Sequence, residues 1–247
     1  FSKYWTKTQT SLSVFGRAQV VQHDIIQRSL YDVTTGKRTI DYTNVGGNAS
    51  VGIGGFLTQT LPGKKFSIRV ASFNDLARSN TYINGDKNRS LALRLREELG
   101  LNYRITGIDM TLKGGFGYYN ASNTLASDVT PATKDYSLGY TTNITRPLGF
   151  AFEGEATYTT SRGYAAGYNQ DQVLLNAGLS YSFLAGKKAT IRLKGYDLLD
   201  SRRSIWRNIT ASSISTEETN TLGRYAMLHF IYRFDSFAGG GSKSDMK

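Results

Sequence analysis

The sequence predicts an all-β protein, a transmembrane antiparallel up-and-down β-barrel of about ten strands. Three observations predict it. The composition is rich in glycine and aromatic residues and poor in proline, the hydrophobicity alternates with a period of two, and short connections alternate with long ones.

The composition already excludes several classes of protein. The 247 residues include 26 glycines, 16 tyrosines and 12 phenylalanines but only 3 prolines, which favours many strands and turns. Because there are 0 cysteines, disulfides, thiolate catalysis and cysteine-based metal sites are excluded. No apolar run approaches the roughly 18 residues of a membrane helix. The net charge of +11 comes from scattered basic residues without a nucleic-acid-binding motif, so we expect no nucleic-acid partner.

Alternation of apolar and polar residues is the main signal for strands. It runs through residues 108–119, 136–144, 150–158, 173–183, 189–193 and 223–234. Residues 91–103 also fit a helix, but five leucines fall on one strand face there, with Arg94 and Arg96 on the other. We interpret this segment as a strand. Glu97 interrupts its apolar face, and the sequence predicts a bulge or the membrane rim at that position.

The connections alternate in length. Short turns are predicted at 61–64, 104–107, 145–149 and 184–187, and long polar loops near 22–46, 75–88, 120–134, 161–170 and 200–222. Short turns at one rim and long loops at the other are typical of a membrane β-barrel. We assign residues 1–237 to the barrel and 238–247, which are rich in glycine and polar residues, to a flexible tail.

A soluble β-sandwich would alternate in the same way. Three features favour the membrane: apolar faces of five or six positions match a tilted spanning strand, aromatic residues mark the strand ends, and the opposite face carries charge. A water-filled lumen tolerates such charges. The predicted lumen-lining residues are Arg94, Arg96, Glu98, Asp109, Lys113, Glu153, Glu155, Arg192, Lys194 and His229.

Catalytic interpretations of these residues are weaker than structural ones. His229 would need a serine or aspartate partner to act in hydrolysis, and no spacing in the sequence indicates a triad or a metal cage. Glu153, Glu155 and Asp109 could form paired carboxylates for acid–base chemistry. Charge pairing across the lumen wall with basic residues explains them better, and the expected partners are Arg94, Arg96, Arg192 or Lys194. We therefore expect no enzyme activity, no cofactor and no metal.

The last part of the chain resembles a known family. Residues 194–200 read lysine–glycine–tyrosine–aspartate–leucine–leucine–aspartate, and a leucine–glycine–arginine–tyrosine segment at 222–225 precedes a final tyrosine–arginine–phenylalanine at 232–234. Over about residues 185–247 this is similar to the C-terminal end of TonB-dependent-receptor-like outer-membrane β-barrel proteins. Asp200 stands where that family usually has asparagine.

The resemblance implies a larger parent, with a plug domain and a barrel of about 22 strands, of which this chain looks like the C-terminal portion. A self-standing ten-stranded relative is the alternative. The implied location is the bacterial outer membrane of a Gram-negative cell, with a periplasmic C-terminus. The implied function is binding and import of a solute, and the alternatives are a structural or assembly-partner subunit without transport and a small-barrel enzyme.

The resemblance also implies partners and roles for particular residues. It implies that Tyr232 and Phe234 end the strand that the barrel assembly machinery would recognise. From the residues themselves, the loop at 200–222, with Trp206, Arg207 and many serines and threonines, is the best candidate for an outer recognition loop, and the alternative is a solvated loop without a partner. Further implied partners are outer-membrane lipid and lipopolysaccharide, the plug and N-terminal strands of the parent, and other outer-membrane subunits.

Overall fold

A computed structural model describes residues 1–125, 132–164, 167–202, 205–209 and 214–234. The described residues form one large antiparallel sheet and a separate two-stranded hairpin. The strands are β1 (Ser2–Trp5), β2 (Thr10–Val21), β3 (Asp24–Tyr31), β4 (Arg38–Val45), β5 (Asn48–Thr60), β6 (Phe66–Ile83), β7 (Asp86–Ile105), β8 (Ile108–Asn123), β9 (Thr133–Thr145), β10 (Phe150–Arg162), β11 (Gln170–Phe183), β12 (Ala189–Tyr196), β13 (Ile205–Ile209), β14 (Ile214–Glu218) and β15 (Tyr225–Tyr232).

The large sheet runs in the order β1-β2-β5-β6-β7-β8-β9-β10-β11-β12-β15, with β3 and β4 attached beside β6. From β2 to β15 this path contains ten long strands, and each pairs antiparallel with its neighbour. The all-β antiparallel fold is confirmed. Within the described residues the sheet is not closed, and β1 and β15 are its edges.

Most apolar side chains of the ten strands lie on one face, which we call the apolar face. The register carries this face across the sheet without interruption, for example from Leu57 through Val70, Leu99 and Gly114 to Leu138. Exposed large apolar residues on it include Val14, Val51, Ile53, Val70, Leu99, Leu112, Leu138, Phe152, Leu179, Ile191, Leu193, Leu228 and Phe230.

Few apolar side chains are buried in the part of the chain that the structure describes: Val45, Ala71, Ala121 and Ala189. A sandwich would cover the apolar face with a second sheet, and the only other sheet described is the short β13–β14 hairpin. The sheet is therefore a single layer whose apolar face needs a hydrocarbon environment. The same described ranges contain no helix with the length and hydropathy of a membrane span.

Glu97 lies on the apolar face, between Leu95 and Leu99, but it makes no bulge. The β6–β7 and β7–β8 ladders both pass through it without a break. The bulge predicted there is wrong, because Ser72 directly opposite donates a hydrogen bond to Glu97 Oε1 at 3.0 Å and satisfies the carboxylate within the regular ladder.

The long loop predicted near 75–88 is also wrong. β6 continues to Ile83 and β7 begins at Asp86, so the connection is the two-residue turn Asn84–Gly85. Both turn residues have positive φ, 52° and 90°, as tight hairpin turns require. The polar residues of this region extend the strands beyond the apolar band.

The region predicted as a loop at 22–46 contains the β3–β4 hairpin. This hairpin contacts the end of β6 that extends beyond the apolar band. Arg28 and Ser29 of β3 pair in parallel with Tyr82 and Ile83. The turn residue Asn84 fixes the contact, because its amide donates to Ser29 O at 3.0 Å and its side-chain Oδ1 accepts from the Tyr31 amide at 2.7 Å.

Asparagine side chains connect the strands at the same rim. Asn80 is buried and donates to Gly46 O at 3.0 Å, while its backbone amide donates to Asn48 Oδ1 at 2.8 Å. Ser90, also buried, donates to Asn123 of β8. These contacts hold the long-loop rim together where the apolar side chains end.

Candidate functional site

The opposite side of the sheet, which we call the polar face, is the candidate functional site. The register places all ten predicted lumen-lining residues on it: Arg94, Arg96 and Glu98 on β7, Asp109 and Lys113 on β8, Glu153 and Glu155 on β10, Arg192 and Lys194 on β12, and His229 on β15. Every depression described below opens on this face.

Two ion pairs on the polar face each reach across an intervening strand. Arg17 of β2 pairs with Asp75 of β6 at 2.6 Å, and the strand between them carries Gly52. A Cβ at Gly52 would lie 2.5 Å from Asp75 Oδ1. The glycine leaves the space that the pair occupies.

The second pair repeats this arrangement. Lys194 of β12 lies 3.1 Å from Glu153 of β10, across Gly178 of β11. A Cβ at Gly178 would lie 2.7 Å from Glu153 Oε1. We call both arrangements glycine-bridged pairs, since a side chain on the middle strand would prevent each of them.

A third position has the same layout but no ion pair. Arg96 of β7 and Asp135 of β9 flank Gly117 of β8. Asp135 instead accepts hydrogen bonds from Ser161 Oγ at 2.6 Å and from the Tyr164 hydroxyl at 3.3 Å. Burial, and then the charge of Asp135, raise the pKa of Tyr164, so its hydroxyl keeps the proton that it donates.

Arg94 is likewise without a carboxylate partner among the described residues. Its cross-strand neighbour Asp75 pairs with Arg17 instead, and the Arg94 guanidinium lies 5.5 Å from the ring centre of Tyr119. Arg94 and Arg96 line a depression of about 620 Å³, whose wall also includes Glu98 and Asp135. Two guanidinium groups without an ion pair to any described residue are therefore available there to an anion.

The predicted carboxylate pairs separate into different local contacts. Glu155 accepts from Asn176 Nδ2 at 3.2 Å and, with Glu153 and Lys194, lines a second depression of about 270 Å³. Asp109 pairs with Arg104 at 2.5 Å within the same hairpin. The expectation that Asp109 pairs across the wall with Arg94, Arg96, Arg192 or Lys194 is therefore wrong, since Arg104 lies closer along the ladder.

His229 lies on the edge strand opposite Arg192. The described residues give it no hydrogen-bond partner, and no group of three or more metal-ligating side chains comes together within the described ranges. The arrangement shows neither the base–nucleophile contact of a hydrolase nor a metal cage.

The segment 194–200 ends β12 and turns at residues 197–200, where the Asp200 amide donates to Asp197 O at 2.8 Å. Asp197 is buried, and its carboxylate accepts from the amides of Ser201 at 3.0 Å and Arg202 at 2.9 Å. Asp200 has a positive φ of 52°, and its carboxylate accepts from the Arg224 amide at 2.9 Å. An asparagine at position 200 could adopt the same φ and offer the same acceptor, so the change to aspartate preserves the loop.

The recognition-loop prediction falls partly outside the described residues. The backbones of Trp206 and Arg207 belong to β13, opposite Glu217 and Thr216 of β14, but their side chains are not described. Near them, Gln170 Nε2 donates to Ile205 O at 2.9 Å.

At the end of the chain, Tyr232 closes β15, and its ring lies 4.9 Å from that of Phe234, nearly edge-on. β15 pairs only with β12 among the described strands. Residues 235–247, which include the predicted tail at 238–247, lie outside the described residues.

Sequence reasoning missed Arg17, Asp75, Asp135 and the glycines between the paired strands, Gly52, Gly117 and Gly178. For Arg17 and Asp75 the signal that could have found them is alternation in 10–21 and 66–83, where they fall on the face opposite Val14 and Val70. The pairing itself depends on the register and is not visible in one sequence.

A single antiparallel sheet with one lipid-compatible face and one charged face defines an outer-membrane β-barrel protein. Residues 64–232 match the outer membrane protein beta-barrel family. The chain belongs to this family, and that places it in the outer membrane. No curated protein matches the sequence.

Proposed function

We propose that this chain forms part of the wall of a TonB-dependent-receptor-like protein that binds a solute and imports it across the outer membrane of a Gram-negative bacterium. The observation that carries the proposal is the polar face, which runs across ten strands and has charged groups lining its depressions, opposite the apolar face. A surface with many charged groups is suited to lining a water-filled path, and it is poorly suited to packing against apolar groups.

The free edges support a larger barrel. β1 and β15 have no further partner among the described strands, and an unpaired edge is a site for pairing with more strands. We propose that N-terminal strands of a parent protein close the barrel and that its plug contacts the polar face. The resemblance over residues 185–247 supports the same parent.

The orientation follows from the connections. The turns at 61–65, 106–107 and 184–188 are short, whereas the other rim carries the β3–β4 and β13–β14 hairpins. Because outer-membrane barrels have short periplasmic turns and longer outer loops, we propose a periplasmic C-terminus and an outer recognition loop at Trp206 and Arg207. The barrel assembly machinery would then recognise β15 through Tyr232 and Phe234, and lipopolysaccharide would surround the outer half.

The test uses the full-length gene product in a lipid bilayer. We expect it to bind the purified periplasmic domain of TonB, measured by biolayer interferometry, and to show little ion conductance in a planar bilayer because a plug occupies the lumen. A steady open-pore conductance without TonB binding would indicate a passive pore instead.

A structural or assembly-partner subunit is the second candidate, and the same free edges favour it. It predicts neither TonB binding nor conductance, together with stable co-purification of another outer-membrane protein. We propose no catalytic role, and His229→Ala should leave any measured function of the protein unchanged apart from small effects on stability.

A further inference from the structure

We propose that the depression at Arg94 and Arg96 binds an anionic group, a carboxylate or phosphate, of a polar solute. This rests on the proposed solute-binding function and names the class of its ligand. Three positions on the polar face share one layout, in which a glycine lies between a basic and an acidic residue of the two neighbouring strands: Gly52, Gly117 and Gly178.

At two of these positions the charges neutralise each other. Arg17 with Asp75, and Lys194 with Glu153, meet across a glycine at 2.6 Å and 3.1 Å. A cation paired in this way has little left to offer a ligand, since its charge and its hydrogen-bond donors already face a carboxylate.

At the third position the carboxylate is held elsewhere. Asp135 could reach across Gly117 towards Arg96, because a Cβ at Gly117 would lie only 3.5 Å from Asp135 Cβ. Two hydroxyl donors, from Ser161 and Tyr164, bind its carboxylate instead, and it makes no ion pair with Arg96. Arg96 is consequently left with its donors facing the depression, without an ion pair to any described residue.

Arg94 provides the second cation. Its cross-strand neighbour Asp75 is occupied by Arg17, and Tyr119 supports the guanidinium from one side at 5.5 Å. Arg94 and Arg96 are two residues apart on one strand face, which separates their Cα atoms by about 6.6 Å. Two guanidinium groups at that spacing can share one carboxylate or phosphate.

Glu98 sets the orientation of the ligand. It follows Arg96 on the same face and lines the same depression. A carboxylate there repels a second anion and accepts hydrogen bonds, so the solute should present hydroxyl or ammonium donors next to its anionic group. The depression of about 620 Å³ is large enough for a small polar metabolite.

The test is calorimetric titration of the full-length gene product in detergent at low salt, with citrate and inorganic pyrophosphate as probes and the neutral sugar raffinose as the control ligand. We expect one of the anionic probes to bind and raffinose not to bind. The double variant Arg94→Gln/Arg96→Gln should weaken binding by about tenfold or more.

A matched double variant, Arg69→Gln/Arg192→Gln, removes the same charge from the same face outside this depression. It should change the affinity by about threefold at most, through long-range attraction alone. An equal loss in both double variants, or no binding of either anion at millimolar concentration, overturns the proposal.

A third variant leaves both arginines intact. Ser161→Ala/Tyr164→Phe removes the two donors that hold Asp135, which is then free to pair with Arg96 across Gly117. We expect weaker anion binding, and adding Asp135→Asn should restore it. Unchanged affinity in the first variant would contradict the role given to Asp135.

Circular dichroism and the gel mobility of unheated protein check that each variant is folded. The outcome is separable from that of the proposed function. If the full-length product binds the anionic probe but not TonB, only the import proposal is refuted. If it binds TonB but not the anionic probe, only the anion site is refuted.

Discussion

The two faces of the sheet are built from alternate residues of the same strands, yet their side chains interact over different distances. On the apolar face, residues such as Leu179 and Leu193 stay more than half exposed, at 56% and 55%, and make contacts with near neighbours. On the polar face, charged side chains meet across a whole intervening strand. Apolar positions are therefore largely independent of one another, whereas polar positions depend on pairs and on the glycines between them.

A charge placed on the apolar face should have the largest effect on stability. Leu179→Arg puts a guanidinium against hydrocarbon in the lipid-facing band and should destabilise the protein by about 2–4 kcal/mol. The measurement is the urea midpoint of unfolding in lipid vesicles.

The control for that substitution is Thr157→Arg, on the polar face between Gly139 and Leu174. It should change stability by about 0.5 kcal/mol or less, because water reaches that side. Equal costs for the two variants would show that the faces do not differ in their solvent.

Adding a side chain at Gly178, the glycine between Glu153 and Lys194, should have the next largest effect on stability. Gly178→Ala brings a Cβ to within 2.8 Å of Glu153 Cγ, so the Glu153–Lys194 pair must break or adopt a strained rotamer. We expect a loss of about 1–2 kcal/mol in the same unfolding assay.

Gly114→Ala is the matched variant on the apolar face, where nothing lies within 4 Å of the added Cβ. It should stabilise β8 by about 0.5 kcal/mol, since alanine loses less backbone entropy than glycine in a strand. If both glycines tolerate alanine equally, the bridging role of Gly178 is wrong.

The smallest effect on stability is expected at Glu97, the acidic residue on the apolar face. Glu97→Leu should stabilise the protein by about 0.5–1 kcal/mol in vesicles, because the gain from removing a carboxylate from the apolar band exceeds the loss of the Ser72 hydrogen bond. Glu97→Gln keeps an acceptor for Ser72. Its stability should lie between that of the unsubstituted protein and that of the Glu97→Leu variant. A destabilised leucine variant would indicate that Glu97 has a polar environment.

Much of the fold could be predicted from the sequence because alternation is a local property. The strands at 150–158 and 173–183 and the turn at 184–187 are visible in the order of residues alone. The extension of β6 and β7 is not, because its side chains are polar on both faces beyond the apolar band, and the Asn84–Gly85 turn is the sole local signal of the hairpin.

The candidate site could be predicted only in part. Alternation assigns Arg94, Arg96 and Glu153 to one face, but it does not decide which charges meet. Partner choice depends on the register of three strands and on competing hydroxyl donors, as the different fates of Asp75 and Asp135 illustrate. For the same reason the ligand class emerged only with the structure.

The length of the β6–β7 hairpin determines how far its tip projects beyond the apolar face. Five residues of β7, 86–90, precede Leu91 on the apolar face, and at about 3.3 Å per residue they carry the tip roughly 17 Å beyond it. The β3–β4 hairpin supports this extension sideways through its contacts with Asn84. In the proposed orientation this tip stands outside the membrane, where antibodies could reach it.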